Sequence, residues 1–125
     1  MAIIETKRIR NVALLGHGGS GKTSLAEAML YITGATDRIG KVADGNTVSD
    51  FDPEETKRGF SLSTSIMNMT WKDSKINLLD TPGYLDFVGE VGQALRVADS
   101  AIILVDGKAG IEVGTEMAWG YADAL

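Results

Sequence analysis

One run near the amino terminus has the residue types and spacing to hold phosphate. Gly16-His17-Gly18-Gly19-Ser20-Gly21-Lys22-Thr23 fits G-x-x-x-x-G-K-[ST] at every fixed position. Glycines let the backbone curl so that successive N–H groups point inward at phosphate oxygens. A helix beginning near Lys22 adds its positive end. Lys22 supplies a mobile full charge, and Thr23 offers a hydroxyl to a magnesium ion. The bland alternative is a glycine-rich turn with a solvated lysine.

A second cluster lies downstream. Asp80-Thr81-Pro82-Gly83 closes the apolar run Ile76 to Leu79. An acid at the tip of a buried strand, beside a phosphate loop, is placed to hold Mg²⁺, usually through water. Gly83 sets a backbone N–H where a terminal phosphate can be sensed. Without the upstream loop, the same residues read equally well as a strand ending in a proline turn. The candidate binding set is therefore His17, Gly18, Gly19, Ser20, Gly21, Lys22, Thr23, Ser24, Asp80 and Gly83.

The elements that would carry these residues follow from periodicity. Arg8 to Gly16 reads as a buried strand through Ile9, Val12, Ala13, Leu14 and Leu15. Leu25, Ala28, Met29 and Ile32 fall on one face of a helix, with Gly34 as its stop. Gly34 to Ser63 has no sustained period and is rich in Gly, Asp and Thr. An irregular segment of that length in a compact domain is functional or disordered. Thr64 to Trp71 alternates, with Met67, Met69 and Trp71 on the core side. A turn at Asp73-Ser74 leads to a strand over Lys75 to Asp80, making a hairpin. Val88, Val91, Ala94, Leu95 and Ala98 restore helical spacing. Ala101 to Asp106 reads as a strand buried on both faces, and Val113, Met117, Tyr121 and Ala124 as a last helical stripe. The order strand, helix, hairpin, helix, strand, helix argues for an α/β fold in three layers. Its sheet is mostly parallel, with one antiparallel hairpin strand.

Composition narrows the function further. A chain of 125 residues carries one domain. It has no cysteine, which excludes disulfides and thiolate zinc sites and fits a reducing compartment such as the cytoplasm. No apolar run approaches membrane-spanning length, and the amino terminus lacks the pattern of a secretory signal. A net charge of −5 argues against a surface that grips free DNA, so any RNA contact would be local or made by other parts.

The phosphate loop, an Arg-Gly segment and Asp-Thr-Pro-Gly, in this order, resemble the translational GTPases. Asp86-Phe87, Glu90-Val91 and Leu95-Arg96-Val97-Ala98-Asp99 narrow the likeness to elongation factor G and its close relatives, from Arg10 to about Trp119. Gly18, Gly19 and the stretch Asp50 to Ser63 look most like the second-type elongation factor G paralogues. The resemblance implies GTP and GDP as ligands, Mg²⁺ as cofactor and the ribosome as partner of the longer protein. It implies that Arg58-Gly59-Phe60-Ser61 ends switch I, with Ser61 closing on Mg²⁺ and the γ-phosphate, and that Asp80 to Gly83 opens switch II. Lys22, Gly83 and Tyr84 then take the catalytic positions, and Thr23, Ser61 and Asp80 the metal positions.

Two departures bear on hydrolysis. Most of the family has histidine where this chain has Tyr84, and a phenol with a pKa near 10 cannot copy an imidazole. The family also usually has aspartate at Gly19. Slow intrinsic turnover, or a nucleotide-dependent binding module with little hydrolysis, is the alternative these changes leave open. A P-loop ATPase is a further alternative, because the chain has no guanine-reading Asn-Lys-x-Asp motif. On the family pattern that motif follows soon after Leu125. The chain therefore reads as truncated at its carboxyl end, with a bare strand edge at Ala101 to Asp106 that invites self-association.

Other residues have bland readings. His17, the only histidine, reads as loop filler rather than a catalyst. The mixed charges Asp52, Glu54, Glu55, Lys57 and Arg58 are a solvated loop or part of a switch. Gly89 and Gly92 weaken the helix after switch II, either for packing or to let it shift.

Overall fold

A computed structural model describes residues 4–37, 65–83 and 88–124. The irregular segment predicted up to Ser63 lies outside the described residues from position 38 onward. A single 3-10 turn at Thr6–Arg8 leads into β1 (Ile9–Gly16). Then follow α1 (Lys22–Ile32), β2 (Ser65–Trp71), β3 (Ser74–Asp80), α2 (Val88–Val97), β4 (Ser100–Leu104) and α3 (Val113–Ala124).

The strands form one sheet in the order β2-β3-β1-β4. β1 runs parallel to both of its neighbours, and β2 pairs antiparallel with β3. The expected mostly parallel sheet with one antiparallel hairpin strand is present. Pleating divides the core in two. Leu14 and Leu78 face α1, packing with Ala26, Leu30, Met67 and Met69. Ala13, Leu15 and Leu79 face the other side, against Ala94 of α2 and Ala118 of α3.

The stop of α1 is a double hydrogen-bonded cap. Gly34 adopts φ 79°, its N–H donates to the Tyr31 carbonyl, and the Ala35 N–H donates to the Leu30 carbonyl. This is the Schellman arrangement, and glycine supplies the left-handed residue it needs.

Several local expectations need correction. The hairpin turns at Lys72 and Asp73, with φ 46° and 66°, so that Trp71 pairs with Ser74. Both central residues with positive φ match the twist of the flanking strands, which fixes a two-residue turn one position earlier than Asp73-Ser74. Trp71 is 45% exposed rather than core, because it ends the strand beyond the cover of α1, and the Lys72 ammonium lies over its ring. β4 is shorter than Ala101 to Asp106, since the Asp106 carboxylate accepts the N–H groups of Lys108 and Ala109 and turns the chain. It is not buried on both faces either: Ile102 is exposed, and β4 pairs only with β1 among the described strands.

The helical stripes of α1 and α3 are rotated from the predicted ones. α1 buries Lys22, Ala26, Glu27 and Leu30, with Leu25 and Met29 at the flanks and Ile32 exposed past the sheet. α3 buries Gly114, Thr115 and Ala118 and leaves Val113, Tyr121 and Ala124 exposed, with Met117 half-buried. Small side chains let α3 approach the sheet closely, so it turns its small face inward.

Candidate functional site

Register brings the chemistry together. Leu14 pairs with Asp80 across β1 and β3, and Gly16 with Leu104 across β1 and β4. The carboxyl ends of three parallel strands therefore meet at one edge of the sheet, with β1 between two neighbours reached by separate connections. Ligands of open α/β sheets bind in that crevice.

The loop from Gly16 to Gly21 joins β1 to α1 there. The Ser20 N–H donates to the His17 carbonyl at 3.1 Å, closing a turn. Gly19 and Gly21 hold φ of 83° and 100°, the left-handed region that side chains disfavour, and Gly21 is the residue that opens α1. Ser20 turns a buried hydroxyl inward, with no hydrogen-bond partner among the described residues, and Ser24 is exposed on the first turn of α1.

Lys22 is only 6% exposed. Its Nζ donates to the carbonyls of Gly16 at 3.0 Å and His17 at 3.1 Å. Burial pushes its pKa below the ordinary lysine value, and the nearby Asp80 carboxylate pulls partly back. The lysine thus rests on loop carbonyls at the mouth of the crevice. An incoming phosphate would repay its desolvation.

Asp80 is 1% exposed, and its Oδ2 accepts the Thr23 hydroxyl at 2.8 Å. Two hard oxygen donors predicted to act on one cation are in direct contact. Among the described residues no group of three or more acidic, histidine or cysteine side chains could cage a metal ion. Mg²⁺ does not need such a cage, since it keeps water and is held by one or two protein oxygens plus ligand phosphates. The donor set fits that ion.

Sequence reasoning did not single out Thr81. Its hydroxyl donates to the Leu14 carbonyl at 2.6 Å, in a buried position, and pins the chain after Asp80 to β1. Gly83 then presses on the phosphate loop. A Cβ at Gly83 would meet the Lys22 ammonium and lie 2.6 Å from the Gly18 nitrogen, so no side chain fits while the loop and this segment are in contact. Of the other predicted site residues, Ser61 and Tyr84 lie outside the described residues.

His17 keeps its backbone in the loop while its ring contacts the start of α3. Its Nδ1 accepts the Gly114 N–H at 3.0 Å, and its Nε2 lies 3.0 Å from Glu112 Oε2. Glu112 and Gly114 were not among the sequence candidates. Glycine beside the start of a helix gives no signal of what docks on it.

Sheet order, glycine loop, buried lysine and paired Thr23 and Asp80 together have the arrangement of a P-loop nucleotide-binding domain. The profile of the family described as "Elongation factor Tu GTP binding domain" matches residues 7–125, and the chain belongs to that family. It is 48% identical to the mitochondrial ribosome-releasing factor 2 of Anopheles gambiae over 96% of this chain and 16% of that protein. It is 44% identical to elongation factor G 2 of Streptomyces coelicolor over 92% of this chain and 17% of that one. A crystal structure of a Thermus thermophilus protein superposes with a TM-score of 0.91 at 47% identity, covering 94% of this chain and 18% of its own. The chain thus spans about a sixth of the length of such curated relatives. The resemblance to elongation factor G and its second-type paralogues is borne out, and so is the expectation of a GTP-binding domain.

Proposed function

We propose that this chain is the nucleotide switch of a longer translation factor, binding GTP and GDP with Mg²⁺, hydrolysing GTP and signalling its state to the ribosome. The observation that carries the reading is the convergence of Lys22, Thr23, Asp80 and Gly83 at one edge of the sheet. Lys22 would leave the Gly16 and His17 carbonyls for the terminal phosphates. Thr23 and Asp80 would hold Mg²⁺, which when bound neutralises charge on the phosphate oxygens. Gly83 already touches the loop, so a γ-phosphate arriving between them would have to displace it or take its N–H. Movement of this segment is then the mechanical output. Ser61 and Tyr84 complete the proposed site, as metal ligand and as the residue beside the attacking water. Backbone N–H groups and Lys22 would stabilise the charge that develops in the transition state.

Calorimetric titration with GTP, GDP and ATP, with and without Mg²⁺, tests this. Mg²⁺-dependent tight binding of GTP is the expected result. Similar affinity for ATP would show that base selection lies outside these residues, and no binding by the full-length protein would overturn the reading. Single-turnover hydrolysis, with and without ribosomes, then separates a GTPase from a module that only binds.

We also propose that the isolated chain self-associates through the exposed edge of β4. Light scattering at high concentration is expected to show species larger than the monomer, and a monodisperse monomer would sink the idea. Among the described residues no helix is long and apolar enough to cross a membrane.

A further inference from the structure

The side chain of His17 holds something that phosphate binding does not call for. The Gly114 N–H is the second residue of α3, one of the donors that a helix start leaves without an internal partner. Such a donor is ordinarily met by a side chain just upstream. Here the acceptor is His17 Nδ1 at 3.0 Å, 97 residues away in sequence and inside the phosphate loop. With Nδ1 accepting, the hydrogen-bond network assigns the ring proton to Nε2, which faces Glu112 Oε2 at 3.0 Å. Glu112 is in turn fixed by its own N–H, which donates to Thr115 Oγ1 at 3.2 Å.

Contact at this point is possible only without a side chain. A Cβ at Gly114 would lie 2.6 Å from His17 Nδ1 and 2.8 Å from His17 Cα. The main-chain carbonyl of the same histidine accepts the Lys22 ammonium at 3.1 Å. One residue therefore touches both the phosphate-binding lysine and the start of α3.

We propose that His17, Glu112 and Gly114 form a positioning latch that couples nucleotide residence to the placement of the first turn of α3. The inference rests on the nucleotide-binding reading above. Any change of loop shape that nucleotide imposes is felt at the cap of α3. Any partner that draws the start of α3 away loosens the loop by the same coupling free energy.

The test is the release rate of a fluorescent N-methylanthraniloyl-GDP from the full-length protein with Mg²⁺, by stopped flow. H17A and G114A are expected to speed release by about 5- to 20-fold, at the lower end of typical couplings, and E112A by less, about 2- to 5-fold. Single-turnover hydrolysis of GTP by G114A and E112A stays within about twofold of wild type, since neither residue reaches the phosphates; a lesion of the loop as a whole would speed release and lower hydrolysis together. H17N, whose amide oxygen can still accept the Gly114 N–H, recovers most of the wild-type rate. The double variant H17A/G114A releases no faster than the faster single one, because both break one contact. Unchanged release by G114A and E112A, or additive effects in the double variant, would overturn the latch. G114A and E112A decide the matter even where H17A fails to fold. Wild-type protein that does not bind the labelled GDP would overturn the nucleotide-binding reading itself, which is a distinguishable result.

Discussion

The two faces of the sheet are built differently. On the α1 side, Leu14, Leu30, Met67, Met69 and Leu78 interlock as long apolar side chains. On the other side, Ala13, Ala94 and Ala118 dominate, joined by Leu15 and Leu79. Long side chains bury more area, at about 25 cal/mol per Å² of apolar surface. They also key one helix against the strands in a single setting. α3 rests on small residues instead, α2 adds the half-buried Val91 and Leu95 to Ala94, and polar contacts lie near the ends of both helices. After α2, the Asp99 N–H donates to the Asn11 carbonyl at 2.7 Å and the Asn11 N–H donates to Asp99 Oδ2 at 2.8 Å. At the start of α3 the locating group is His17. A helix held by a few end contacts on a shallow surface can be relocated at lower cost than one keyed in by leucines. The α1 side is therefore a platform for Lys22 and Thr23, and the α2 and α3 side is where nucleotide-driven movement would be read out.

The sharpest way to break this contrast is to delete volume on each side. Leu30→Ala is expected to cost about 2–5 kcal/mol in denaturant unfolding. Ala118→Gly is expected to cost only about 1 kcal/mol, mostly helix propensity. Equal costs would mean that the second face is as deeply packed as the first. Adding volume gives the next largest effect. Ala94→Leu is expected to destabilise by about 1–3 kcal/mol through overpacking; if stability rose instead, the shallow face would hold unfilled space rather than a close fit. Thr81→Val removes the hydroxyl bonded to the Leu14 carbonyl, which joins the start of the proposed switch II to the platform. A loss of about 1 kcal/mol is expected from thermal melts, and no loss would show that the segment is located by something else.

The smallest expected effect is a pH dependence without nucleotide. Lys22 titrates below its unfolded value because it is buried. Between the folded and the unfolded pKa, the unfolded chain therefore holds more protons. Stability should rise with pH through that window, which ends near the ordinary lysine value of about 10.4. Lys22→Met should flatten the rise, as measured by denaturation across alkaline pH. An identical slope in the variant would assign the dependence to other groups.

Much of the platform was legible in the sequence. The β1 run, the phosphate loop, the Gly34 stop and the Asp80 turn are written in neighbouring residues, where local sterics and hydrogen bonding decide the outcome. The α2 stripe was readable for the same reason, since Val91, Ala94, Leu95 and Ala98 all face the core. α3 was not. Its apolar residues suggested a face through Val113 and Tyr121, but the shallow sheet surface selects Gly114 and Ala118. Periodicity weighs side chains by hydrophobicity and cannot see how close a helix is allowed to come. Trp71 failed similarly, because alternation names a side of the sheet but not where α1 stops covering it. The His17 contact was invisible for a simpler reason: it joins residues 97 apart, and neither carries a local signal for the other.

The rotation of α3 has an optical corollary. The chain has two tryptophans, and both remain in water, Trp71 at 45% and Trp119 at 68% exposure. Their emission should already be red-shifted in the native state, so unfolding moves the spectrum little. A macromolecule that covers either indole would shift it toward the blue. The intrinsic fluorescence of this chain is thus nearly blind to folding and well suited to reporting assembly.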